Sequence, residues 1–153
     1  MKHLSYGMVL LEHGKMKSRE GQVIEADEFL QQMQDLAFKE LKKRYQSIND
    51  EKAMLEKAKA IALAAIKFFM LKHAPRKDFV FKPEQSITFE GETGPYVQYT
   101  IARINSLLKK AESQGIAMPK QFSFKHFNDK ELSIVKNLYS FNFVIEQAFK
   151  ELD

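Results

Sequence analysis

A mainly α fold, bundle-like and helical with a short N-terminal strand and loop, is predicted for these 153 residues. Three observations predict it. Apolar residues recur at three- and four-residue steps over four long stretches. Gly and Pro fall between those stretches or at their starts. Only two brief segments carry the β-branched and aromatic runs of a strand.

The segment from Leu4 to Glu12 is apolar, with Gly14 directly after it, and reads as a strand leading into a loop that runs to about Gly21. Asp27 is the expected N-cap of a first helix ending near Tyr45, with Leu30, Met33, Ala37 and Leu41 along one face. Lys39, Lys42, Lys43 and Arg44 crowd its last turns, where positive charge suits the helix dipole.

A second helix is expected from Asn49 or Asp50 to about Lys72. Its stripe of Ala58, Ile61, Ala62, Ala65, Ile66 and Phe69 is small enough to admit a neighbouring backbone. Pro75 ends it, because the ring removes a donor and restricts the residue before it. Phe79–Phe81 reads as a brief extended piece bounded by Pro83.

Thr93 or Gly94 followed by Pro95 predicts the next helix start, since proline at the first helical position has its φ preset. Val97, Ile101, Ile104 and Leu108 then form one seam, and Gly115 is the expected stop. Residues 116–126 contain Pro119, lack periodicity and read as a linker. Asn128 or Asp129 caps a last helix running nearly to Asp153, with a packing seam at Ile134, Leu138, Phe141, Ile145, Ala148 and Leu152. That helix is also apolar off the seam, at Leu132, Val135, Phe143, Val144 and Phe149, so it calls for neighbours on several sides. Either it is buried in its own compact fold or the chain stops inside a larger helical bundle. The second is the expectation carried forward.

Composition narrows the function classes. With 24 Lys and Arg against 20 Asp and Glu, the net charge of +4 permits an anionic partner without demanding one. Zero cysteines exclude a disulfide framework and a thiolate zinc site, which fits a reducing cytoplasm. Even the apolar run Ala60 to Leu71 is broken by Lys67, so neither a membrane span nor a secretory signal is expected. His3, His13, His73 and His126 are widely separated and read as surface residues rather than metal ligands. No Ser-His-Asp set or glycine-rich nucleotide fingerprint is legible. Glu90 and Glu92 beside glycines read as turn polarity, with acid–base chemistry as the alternative.

Two motifs carry chemistry. Lys15, Met16, Lys17, Ser18 and Arg19 lie between Gly14 and Gly21. Cations on a mobile glycine-flanked loop can close over phosphates and stabilise the charge that builds during adenylate transfer. A solvated basic turn has the same composition. The second motif runs Phe89-Glu90-Gly91-Glu92-Thr93-Gly94-Pro95-Tyr96-Val97-Gln98-Tyr99, with Arg103 beyond it. Tyr96, Tyr99 and Arg103 share a helix face and can stack on a nucleotide or grip a phosphate. Alternatively the tyrosines cap the core and Arg103 pairs with Glu90 or Glu92.

In their order and spacing these two motifs resemble those of arginyl-tRNA synthetases, a class I aminoacyl-tRNA synthetase family. Lys15-Met16-Lys17-Ser18-Arg19 resembles the Lys-Met-Ser-Lys-Ser loop, with Lys17 where serine is usual, Ser18 at the second lysine and Arg19 last. Many members resemble this chain in lacking that second lysine. The resemblance covers about Lys2 to Glu112 and, more loosely, the final helix. It implies that residues 1–25 end a catalytic nucleotide-binding domain, 26–94 form a linking helical region in contact with the tRNA stem, and 95–153 begin an anticodon-binding domain. It further implies arginine–tRNA ligase activity, ATP as substrate with Mg²⁺, and tRNA(Arg) as partner of Tyr96, Gln98, Tyr99 and Arg103. No residue is assigned as catalytic and no metal ligand is named. The His-Ile-Gly-His-type motif and the arginine pocket have no counterpart here, so the chain by itself is expected to be inactive. Two alternatives stand beside this reading. A non-catalytic tRNA- or RNA-binding helical module would use the Lys39–Arg44 cluster and the Tyr96–Arg103 face, and a structural or assembly domain would self-associate through the final helix.

Overall fold

The computed structural model describes residues 3–11, 25–45, 50–117 and 123–151. It bears out the mainly helical class, with one short sheet. Strand β1 (Val9–Leu11) is followed by α1 (Ala26–Arg44), α2 (Glu51–Leu71), β2 (Phe79–Phe81), α3 (Pro83–Ser86), α4 (Gly94–Ser113), a 3₁₀ turn (Phe124–His126) and α5 (Asp129–Glu151). The chain divides into two compact units, one spanning Ser5–Leu107 and the other comprising Met1–Leu4 with Leu108–Asp153.

In the first unit β1 and β2 pair in parallel, Val9 opposite Phe79 and Leu11 opposite Phe81. Parallel strands need a long crossover, and α1 with α2 provides it. The strand begins at Val9 rather than at the expected Leu4, and the expected end at Glu12 lies outside the described residues. Its partner supplies only three residues, and the Met8 N–H turns instead to the Asp78 carboxylate at 2.6 Å. Gly7 is required beside this ladder, because a Cβ there would run into the backbone of Lys77.

The core lies between α1 and α2. Met33, Ala37 and Leu41 face Met54, Ala58, Ala62, Ala65 and Phe69, all buried, with Phe81 and Ile87 closing the cluster. Phe81 is fully buried and meets Phe29 edge-on at 5.1 Å and Phe69 at 4.7 Å. Leu30, expected on the core face of α1, is only half-buried.

Asp50 caps α2 as expected, its carboxylate accepting from Ala53 N–H at 3.0 Å. Asp27 does not cap α1. Glu25 is the N-cap, without a side-chain hydrogen bond, while Asp27 and Glu28 lie in the first turn. There negative charge still meets the free N–H groups of the helix start, so Asp27 serves the same end from inside. Pro83 bounds β2 by opening the unforeseen α3, where it occupies the first helical position. His73 is no surface residue. It is half-buried, stacks on Phe79 at 4.3 Å, and places Nδ1 2.7 Å from the Phe69 carbonyl oxygen.

In the second unit Gly115 ends α4 at φ 71°, with Ile116 N–H reaching Ala111 O at 3.0 Å and Gly115 N–H reaching Glu112 O at 2.9 Å. This closes the helix in a Schellman motif. Asn128 starts α5: its Oδ1 accepts from Lys130 and Glu131 N–H, each at 3.0 Å, while Glu131 accepts from Asn128 N–H at 2.8 Å. The arrangement is a capping box.

The two seams expected to pack are exposed. Val97, Ile101, Ile104 and Leu108 are 44–52% accessible, and no described residue of α5 is buried. The amphipathic periodicity of both helices is real, and each carries its apolar seam on an accessible face.

Candidate nucleic-acid interface

The turn before α4 sets the geometry of the candidate site. Gly91 adopts φ 72°, a conformation that favours glycine. Thr93 Oγ1 donates to Thr88 O at 2.6 Å and accepts from Tyr96 N–H at 3.2 Å, so the expected helix start carries a side-chain cap. Gly94 and Pro95 are buried, and a Cβ on Gly94 would strike the backbone carbonyl of Ala64 on α2. The helix therefore rises directly off the α2 backbone.

From this base the residues of the motif diverge. Tyr96 and Tyr99 are 43% and 45% exposed, their ring centres 6.4 Å apart and their planes inclined by 29°. The Arg103 guanidinium lies 5.9 Å from the Tyr99 ring centre, and among the described residues no ion pair joins it to Glu90 or Glu92. These three side chains make one accessible aromatic–cationic face. Gln98 points the other way, donating to Ala60 O on α2 at 3.2 Å. Its amide thereby ties α4 to the main chain of α2.

Behind that face, within the same unit, a cleft of about 490 Å³ opens between the C-terminal end of α1, α2 and α4. Arg44, Tyr45, Lys57, Phe89, Gln98 and Tyr99 contribute to its walls, and Leu41, Ala60, Ile61 and Ala102 supply apolar surface. Arg44 lies over the Phe89 ring at 4.7 Å. The other cations at the end of α1 have local partners, Lys42 over Phe38 at 4.5 Å and Lys43 on Glu40 at 2.6 Å. Sequence reasoning saw the basic cluster and the tyrosine helix but not their meeting through Phe89 and Lys57. No local periodicity links positions so far apart.

Lys15, Met16, Lys17, Ser18 and Arg19 lie outside the described residues. Among the described residues no group of three or more His, Asp or Glu side chains could hold a metal ion, and no helix is long and apolar enough to cross a membrane.

Residues 1–82 match the family model of class I (R) tRNA synthetases, catalytic domain, which covers more than half of the chain. The chain belongs to the arginyl-tRNA synthetase family. Residues 97–153 match the DALR anticodon binding domain. Arginine–tRNA ligases of Parabacteroides distasonis and Flavobacterium psychrophilum are 40% and 43% identical to it, covering 97% and 95% of this chain. Thermus thermophilus arginyl-tRNA synthetase superposes over 97% of the chain with a TM-score of 0.78 and 31% identity. The chain spans about a quarter of these arginyl-tRNA synthetase relatives, 25% and 24% of the two ligases and 23% of the Thermus chain.

Proposed function

We propose that this chain serves in an arginine–tRNA ligase, supplying the loop that meets the ATP phosphates and the helix that faces tRNA(Arg). The reaction would join the arginine carboxylate to the α-phosphorus of ATP, expel pyrophosphate, and then pass the arginyl group to the terminal adenosine of the tRNA, releasing AMP. Lys15, Lys17 and Arg19, with Ser18, would stabilise charge on the phosphates, and Met16 belongs to the same loop. Mg²⁺ would arrive with the ATP, since that ion keeps much of its water and needs few protein ligands. The division at residues 25 and 94 into catalytic end, linking region and anticodon-binding start belongs to the same reading. So does a cytoplasmic location.

The observation that carries the reading is the accessible face of Tyr96, Tyr99 and Arg103 at the head of α4. An aromatic pair beside a guanidinium suits an unstacked base and its phosphate. Gln98, tied to α2, would hold that face in position. Salt-dependent binding of tRNA(Arg) to the purified chain, measured by filter retention, tests it. Tyr96→Ala should weaken binding by about 1–3 kcal/mol, the usual worth of one stacked base. Arg103→Ala should lower the salt slope by about 1. Unchanged affinity in both variants would remove the interface.

The exposure of α5, with Phe141 58% accessible, favours a second reading in which this helix serves assembly. Concentration-dependent self-association in sedimentation, abolished by Phe141→Asp in a chain that does not bind tRNA, would support it over the first.

A further inference from the structure

The cleft behind the tyrosine face has its own chemistry. Three rings, from Tyr45, Phe89 and Tyr99, border it together with two cations, Arg44 and Lys57, and the amide of Gln98. Its volume of about 490 Å³ lies in the range of small-molecule pockets, about 300–1,000 Å³. Among the described residues neither Arg44 nor Lys57 is ion-paired with a carboxylate. Arg44 is held instead on the face of Phe89, a contact that orients a planar guanidinium without neutralising it. Apolar walls, aromatic planes and unneutralised cations together match a flat heterocycle carrying a phosphate.

We propose that this cleft receives one unstacked nucleotide of the RNA, its base against the Phe89 and Tyr99 rings and its phosphate on Arg44 and Lys57. The inference rests on the tRNA-binding reading above and adds a site on the opposite side of α4 from Tyr96. Charge complementarity selects the occupant. A purely apolar segment of protein would leave two cations desolvated, whereas a nucleotide neutralises them.

Photocrosslinking of 4-thiouridine-substituted tRNA(Arg) to the purified chain, with the modified peptides read by mass spectrometry, tests the site. Crosslinks at Tyr45 or Phe89, rings that the outer face does not share, are expected, and Arg44→Gln with Lys57→Gln should remove them and weaken binding at least tenfold. Circular dichroism of that double variant should be unchanged, because both residues are exposed. Crosslinks confined to the outer face, with full affinity in the double variant, would overturn the cleft site and leave the Tyr96–Arg103 interface standing. Absence of tRNA binding by the chain would overturn both.

Discussion

Gly94→Ala is the substitution that most directly tests how the tyrosine helix is set. Glycine to alanine in a helix ordinarily gains up to about 1 kcal/mol in propensity, so local preference alone predicts a more stable protein. The structure predicts the reverse. The added Cβ points at the Ala64 carbonyl carbon and oxygen, main-chain atoms within α2 that no rotamer change can move aside. Forcing a methyl into a packed contact costs about 1–3 kcal/mol, so the propensity gain is cancelled or exceeded. With a urea slope of about 1–3 kcal/mol per molar, a net loss near 1 kcal/mol lowers the midpoint by roughly 0.3–1 M. Urea unfolding followed by circular dichroism at 222 nm reads this, and tRNA affinity should fall in parallel because the head of α4 is displaced. Adding Ala64→Gly should not rescue the variant, since the obstacle is the carbonyl and not the Ala64 side chain. A midpoint that rises in Gly94→Ala, or that Ala64→Gly restores, would refute the close-approach argument.

Phe81→Ala should destabilise the first unit by about 3–5 kcal/mol, with Phe81→Leu much milder, because the buried ring also gives up its contacts with Phe29 and Phe69; chemical denaturation of both variants checks the ranking. Asn128→Ala should cost α5 about 0.5–2 kcal/mol through loss of two capped N–H groups, while Asn128→Asp retains most of it; hydrogen exchange at Lys130 and Glu131 reports this locally. The purified 153-residue chain should show no arginine-dependent exchange of pyrophosphate into ATP, and a robust rate would contradict the assignment of only the phosphate loop and tRNA-facing helices to it.

Where the sequence was legible, a short-range rule decided the outcome. Asp50, Asn128 and the Thr93-Gly94-Pro95 start each satisfy N–H groups within three residues, and Gly115 ends α4 by its own φ. The alanine stripe of α2 announced a tight neighbour, and α1 on one side and Gly94 on another supply it. What escaped depends on partners distant in sequence. The start of β1 at Val9 follows from where β2 begins, at Phe79, and from the Asp78 side chain that takes the Met8 N–H. The stacking of His73 on Phe79 needs the chain reversal at Pro75. Periodicity in α4 and α5 named apolar faces correctly but could not say whether anything lies against them. Tyr96, Tyr99 and Arg103 were placed on one face by spacing alone, whereas the turning of Gln98 toward Ala60 required knowing where α2 runs.

The parallel ladder of β1 and β2 bears on how the molecule assembles. Its paired residues, such as Val9 and Phe79, lie far apart in the chain, so the closure entropy of the intervening segment is recovered only after α1 and α2 have condensed. Three rungs make a shallow minimum of free energy. Strand β1 should therefore detach and re-dock in excursions that leave the helical pair folded, and amide exchange at Val9 should outpace that at Ala62.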